Sequence, residues 1–292
     1  MRKHLSPESN GALWMVSSSI LFSLMAVLVR FANAQYSLSG WKTSEMRFAV
    51  CILIILGLSL SKKYPLKFVN YSWLASRGIF GGIAVCIFFY AINRIGMAKA
   101  TVLTFTYPIW AAMLSPLVFR KPVSVGLWIA IITAFTGLYL IVIPPEGIVS
   151  ISATDLLALF AGLLSGWAIL SIKKLHETDS SRAILFSQCV FGLIFAIFPS
   201  SGEGYSFPLE AWGVLILIGV LAAVAQLQMT HAYKFVGAAE GSLISILNPV
   251  LNVFLGVIFF KEPLTLRAIV GCAIVFACCI YAAIPERYER EC

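Results

Sequence analysis

Gly241, Ser245, Asn248, Asn252 and Gly256 recur at steps of 4, 3, 4 and 4 inside a run that is otherwise apolar enough to cross a membrane. That spacing sets all five on one stripe of a helix. Lipid cannot satisfy an amide or a hydroxyl, so such a stripe must face protein or a water-filled cavity. The chemistry open to it is hydrogen bonding, either to a solute's polar groups or to neighbouring helices, where Gly and Ser allow close approach. Pro249 lies within the stripe and lacks the N–H that would bond the carbonyl of Ser245, which frees that carbonyl for a solute or water.

The element that carries this stripe has a counterpart earlier in the chain. Residues 73 to 144 align without a gap on 214 to 285 at an offset of 141, with 13 of 72 positions identical. Gly78 falls on Gly219, Gly96 on Gly237, Ala98 on Ala239, Pro108 on Pro249, Phe119 on Phe260 and Pro122 on Pro263. Glycines and prolines fix turns and kinks, so their coincidence points to duplication rather than shared apolarity. The repeat carries the stripe onto Ala100, Thr104, Tyr107, Ala111 and Ser115, beside Pro108. The first two helices of each unit match more weakly, with Arg47 over Gln188.

Composition sets the surroundings. The 292 residues are 60% hydrophobic and 12% charged, with mean hydropathy +0.92, whereas soluble domains are about a quarter charged. Ten runs are long enough to span a bilayer, near 12 to 33, 43 to 60, 73 to 92, 99 to 119, 123 to 143, 154 to 173, 182 to 199, 211 to 233, 239 to 260 and 265 to 284. The expected fold is an all-α polytopic membrane protein of ten transmembrane helices. Its units are 11–144 and 154–285, and five passes per unit make the second enter from the opposite side.

With both termini in the cytoplasm, the loops place thirteen Lys and Arg inside and six outside, among them Lys42, Arg94 and Lys99. The expected location is therefore the cytoplasmic membrane. The net charge of +8 reads as topology and attraction to anionic lipid heads, and no arginine-rich, aromatic-laced patch argues for nucleic acid. The basic start runs into a full-length span, so no cleavable signal is expected. Seven cysteines show no CxxC spacing, six fall in spans as small apolar residues, and neither a metal site nor a cofactor is expected. The Asn70-Tyr71-Ser72 sequon falls in a loop assigned to the cytoplasm.

Other residues add to the candidate site. Ser19, Ser23 and Arg30 share a face of the first span, and the repeat sets Trp167 opposite Ser23 as a pocket wall or as packing. Tyr90 and His231 are repeat partners near helix ends, and His231 either titrates during transport or is a hydrogen-bonded structural histidine. Gln188, Gln226 and Gln228 are amides in apolar runs, of which at least one should reach a cavity. Arg47 offers a guanidinium fork for carboxylate or phosphate, or else snorkels or pairs with a neighbour. Arg77 begins the third span, where contact with lipid heads is the favoured reading.

The local sequences "YAINRIGMAKAT...YP...FRKP" and "HAYKFVGAAEGS...NP...FKEP" resemble the ten-helix EamA group of the drug/metabolite transporter superfamily, over about Gly11 to Pro285. "SEMRFAV" at 44 to 50 resembles the family's second-helix entry. The acid that this family often has before the fifth helix is replaced in the first half by Phe119-Arg120-Lys121-Pro122, while the second half keeps Glu262. No counterpart exists to the first-helix glutamate of the short proton-exchanging relatives, since neither 12 to 33 nor 156 to 172 contains an acid. The resemblance implies secondary transport, with amino acids and their derivatives among the solutes.

The expected function is thus movement of a small polar or amphipathic metabolite by alternating access, with a small-molecule substrate and membrane lipid as partners. The Asn, Ser and aromatic lining suits a zwitterionic or neutral solute better than a simple cation. No GxxxxGK[ST] loop appears, so energy must come from gradients or from the substrate itself. Ten helices can complete a pathway alone, and the expected assembly is a monomer or homodimer. The competing readings are a passive channel or lipid scramblase, and an intramembrane hydrolase built on Ser242 and His231.

Overall fold

The computed structural model describes residues 7–60, 66–120, 122–142, 152–261 and 264–284. Among them are twelve helices: α1 (Pro7–Tyr36), α2 (Gly40–Leu60), α3 (Tyr71–Ile95), α4 (Met97–Thr104), α5 (Tyr107–Phe119), α6 (Val125–Val142), α7 (Ala153–Leu175), α8 (Ser181–Ser200), α9 (Leu209–Ala232), α10 (Ala238–Ser245), α11 (Leu247–Phe260) and α12 (Leu266–Ala283). Nine helical runs are long and apolar enough to cross a membrane, two of them composite: Lys99–Phe119 from α4 and α5, and Ala238–Phe260 from α10 and α11. The shorter apolar Val125–Ile141 makes the tenth.

Polar residues at the helix ends explain where the elements start. Ser152 and Asp155 form a reciprocal capping box on α7, and Ser180 and Thr265 each accept a backbone N–H at the start of α8 and α12. The sequon residue Asn70 caps α3, its side chain accepting from the Trp73 N–H. Gly96, between α3 and α4, has φ +81°, a left-handed backbone that favours glycine.

The packing follows a two-fold pattern that the repeat requires. Helix α3 lies on α7 as α9 lies on α1, α2 lies on α9 as α8 lies on α3, and α5 lies on α7 as α11 lies on α1. Helices α2 and α8, and α6 and α12, pack on their own counterparts. The chain is therefore an all-α membrane protein of two inverted five-span repeats whose main interfaces join one half to the other. Glycines permit the closest approaches: a Cβ on Gly82 would sit 2.7 Å from the Gly192 backbone nitrogen, and one on Gly137 2.8 Å from the Gly271 carbonyl oxygen.

The fourth and ninth spans go beyond the kink that the sequence suggests. Helix α4 ends at Thr104 and α5 begins at Tyr107, and α10 ends at Ser245 and α11 begins at Leu247. Each proline therefore stands in the first turn of a new helix, where its missing N–H would have had no intrahelical partner. Lys42, assigned to a loop from its charge, is instead fully buried in α2 with its ammonium 2.8 Å from Glu45. Arg2, Lys3, Lys62, Lys63, Lys121, Pro144, Glu262, Pro263, Pro285, Arg287, Arg290 and Cys292 lie outside the described residues.

Candidate solute cavity between the two halves

The two helix breaks face each other across the protein's middle. The Ser245 hydroxyl donates to the Ser242 carbonyl at 2.8 Å, so the Tyr107 hydroxyl, 2.5 Å away, donates to Ser245. Around this junction lies a cavity of about 160 Å³. Ser19, Arg47, Thr104, Tyr107, Gln226, Ser245, Asn248 and Asn252 all contribute to its lining. The polar stripe on α10 and α11 divides its work. Asn248 donates to the Ser19 carbonyl at 3.2 Å and to Ser23 at 3.1 Å, tying α11 to α1, while Asn252 donates to the Asn248 amide oxygen at 3.2 Å. The Asn252 amide oxygen has no hydrogen-bond partner among the described residues. Gly241 and Gly256 are buried in packing, and Gly241 lies against Tyr233 and Val236.

Two arginines dominate the electrostatics. Arg47 and Arg77 are only 4% and 3% exposed, and both line the cavity. Arg47 in α2 donates to the Gln226 amide oxygen in α9 at 3.3 Å, and Arg77 in α3 donates to the Gln188 amide oxygen in α8 at 2.6 Å. Each bridge crosses from the first half to the second. The helix pairs they join, α2 with α9 and α8 with α3, are related by the repeat, although among the four residues only Arg47 and Gln188 are repeat partners. Nε and Nη1 of Arg47 and Nε of Arg77 have no hydrogen-bond partner among the described residues. No Asp or Glu joins the lining among the described residues, so no carboxylate there pairs the two positive charges, and apart from Gln226 Arg47 has only the Phe48 and Phe89 ring faces beside it.

This corrects the reading of Arg77. Its position near the start of α3 suggested the membrane surface, but the helix packs between α7 and α8 and turns the side chain inward. A signal was present: Arg77, Gly81, Ala84, Val85 and Phe88 recur at helical spacing and all reach the cavity. The apolar part of the wall includes Phe22, Met25, Phe88, Phe89 and Phe105.

The remaining candidates lie elsewhere. Ser23 is fully buried behind the wall, supporting Asn248. Trp167 donates to Ser76 at 2.8 Å and stacks on Trp73, and it is not among the lining residues. Tyr90 packs against Trp41 with the two rings tilted at 35°. His231 meets Trp14 and Phe235 edge-on. The Ser242 hydroxyl donates to the Ala238 carbonyl at 2.6 Å, and its other neighbour is the Tyr233 hydroxyl at 3.3 Å rather than His231. Arg30 lies over the Phe260 ring at 4.0 Å. The buried cysteines 51, 86, 189, 272, 278 and 279 are all free, and no His/Cys/Asp/Glu cluster suited to a metal occurs among the described residues.

Comparison with known proteins agrees with this architecture. The pseudopaline exporter CntI of Pseudomonas aeruginosa is 25% identical over 273 residues, covering 93% of this chain and 95% of its own. A riboflavin transporter of Vibrio cholerae is 24% identical, covering 91% of this chain and 90% of its own. Human solute carrier family 35 member G1 is 23% identical, covering 96% and 80%. A crystal structure 13% identical in sequence matches with a TM-score of 0.77 over 94% of this chain and 98% of its own, which shows a shared fold. The model of the EamA-like transporter family matches twice, over residues 9–143 and 152–283. Two such matches spread over a multi-pass membrane chain leave one conclusion: the protein belongs to the EamA-like transporter family and is a small-molecule transporter.

Proposed function

We propose that the protein is a secondary transporter that moves a small polar or amphipathic metabolite, an amino acid or a derivative of one, by alternating access. The observation that carries this reading is the junction of the two broken helices. Thr104 and Tyr107 from one half meet Ser245 and Asn248 from the other on a single cavity wall. Interrupted helices at the interface of inverted repeats are where transporters hold their solutes, and rocking of one half on the other exposes such a site to each side in turn. The exporter and riboflavin-transporter relatives support metabolites as the cargo. The excess of Lys and Arg in the loops assigned to the cytoplasm supports a cytoplasmic-membrane location with both termini inside.

The test is counterflow in proteoliposomes, using labelled amino acids, nucleosides and flavins with unlabelled solute inside. Saturable, trans-stimulated uptake of one class is expected. Flux that never saturates would indicate a channel, and movement of labelled lipid between leaflets would indicate a scramblase.

A further inference from the structure

We infer that the transported solute carries an anionic oxygen group, a carboxylate or a phosphate, which binds between Arg47 and Arg77 with its apolar body against the phenylalanines. This rests on the transport reading above and narrows its cargo. Burying one unpaired cation is costly, and burying two on one wall adds their mutual repulsion. Ion pairing normally relieves that cost, yet here the hydrogen-bond partner of each guanidinium is a neutral amide oxygen, from Gln226 or Gln188. Arg47 has besides only the faces of the Phe48 and Phe89 rings, at 5.2 Å and 5.6 Å. Three of their N–H positions remain without a partner among the described residues, each on a side chain more than nine-tenths buried. Elsewhere the fully buried Lys42 is matched by Glu45 at 2.8 Å, and even the partly exposed Lys99 by Asp155 at 2.8 Å. The cavity departs from that practice at the place where a solute would sit.

The planar guanidinium fork matches the geometry of carboxylate and phosphate, and both groups take charge-assisted bonds from it. The two glutamines act as placeholders. An amide oxygen orients each arginine across the half-to-half interface without neutralising it, so the full charge is kept for the solute. Phe22, Phe88, Phe89 and Phe105 make much of the remaining lining apolar. A solute with one charged end and one hydrophobic or aromatic end fits both surfaces at once.

The experiment uses matched pairs on the detergent-purified protein: phenylacetate against phenylacetamide, and phenyl phosphate against phenol, each titrated at millimolar concentration while thermal unfolding is followed. The anionic member of at least one pair should raise the melting temperature saturably, and its neutral partner should not. Which pair responds separates a carboxylate from a phosphate cargo. Arg47→Gln and Arg77→Gln should each weaken the anion's midpoint about ten- to hundredfold, the range for a hydrogen bond to a charged group. Arg47→Lys and Arg77→Lys keep the charge but lose the fork, and they should lie between wild type and the Gln variants. They also cover the case in which a Gln variant fails to fold. An equal shift from the neutral members, a shift that survives substitution of both arginines, or no shift from either anion would overturn the inference. Counterflow separates the two levels. Saturable exchange of an uncharged solute, indifferent to Arg47 and Arg77, would sink the anion site and leave the transporter. Arginine-dependent anion binding without any exchange would do the reverse.

Discussion

The Tyr107 hydroxyl reaches the Ser245 side chain at 2.5 Å, so the first residue of α5 is bonded to the last residue of α10. Both stand at a break in a spanning helix, and they belong to opposite halves. The bond is thus a direct polar link between the two interrupted segments. Tyr107→Phe removes the donor and leaves Ser245 satisfied by the Ser242 carbonyl. The expected loss of stability is about 1 kcal/mol. Counterflow should change more than solute binding, because the link joins the halves. Equal changes in both would mean that Tyr107 acts only as part of the wall.

Asn248 and Asn252 present amides to the cavity, and Asn248 also ties α11 to α1 through Ser19 and Ser23. Asn248→Ala and Asn252→Ala are expected to weaken transport while leaving membrane insertion intact. Asn248→Ala should also cost about 1 kcal/mol or more from the lost cross-helix bonds, whereas Asn252→Ala should be nearer neutral. Normal uptake kinetics in both would remove the stripe from the pathway.

Away from the cavity, Glu45 binds Lys42 at 2.8 Å and accepts from Ser200 at 2.5 Å and from the Tyr205 hydroxyl, so α2 is latched to the end of α8 and the loop after it. The Lys42 ammonium also lies 3.8 Å from the centre of the Tyr205 ring. Breaking one side of a buried ion pair costs about 3–5 kcal/mol. Lys42→Met should therefore lower the melting temperature sharply, and Lys42→Met with Glu45→Gln should recover part of the loss. No recovery in the double variant would show that Ser200 and Tyr205, rather than Lys42, hold the latch.

Gly82 and Gly192 bring α3 and α8 into backbone contact, and a Cβ on Gly82 would fall 2.7 Å from a nitrogen and 2.8 Å from a Cα of the partner helix. Backbone cannot rotate aside as a side chain can. Gly82→Ala is expected to destabilise by about 1–3 kcal/mol through overpacking, despite alanine's better helix propensity. A melting temperature at or above wild type would mean that the helices separate freely there.

His176 sits just beyond α7, its Nε2–H donating to the Thr230 carbonyl at 2.6 Å. Burial, and then the positive neighbours Lys173, His231 and Lys234, push its pKa from 6.5 down to about 4, with the carbonyl bond opposing them. Folding thus favours the neutral ring. The contribution is fully present above about pH 6.5 and is lost as pH falls towards about 4, because the unfolded chain takes up a proton first. Thermal stability should decline over that window, and His176→Gln should flatten the decline. An unchanged slope would assign the acid sensitivity to other groups.

Much of this architecture is legible in the residues themselves. The offset of 141 predicts both units, Pro108 and Pro249 mark both breaks, and helical spacing brings Ser245, Asn248 and Asn252 to one cavity wall. Trp167 and Arg77 were less readable for one shared reason. Which way a side chain turns depends on the partner helix, and here α3 decides both: its Trp73 and Ser76 hold Trp167, and its packing against α7 and α8 carries Arg77 inward. The Lys42 and Glu45 pair was hidden because Ser200 and Tyr205 lie about 155 residues away in the chain. Charge counting along a loop has no access to such contacts.

Arg120 and Lys261 close α5 and α11 with φ of 56° and 53°, a left-handed turn that glycine makes with least strain. They are repeat partners, 141 apart. Each places a cation at the negative end of its own helix, and inversion sends those ends to opposite faces of the bilayer. The duplicated unit has thus retained a strained, charged cap twice. Where anionic head groups line both faces of a bilayer, each cap would meet a layer of opposite charge, one cap per face.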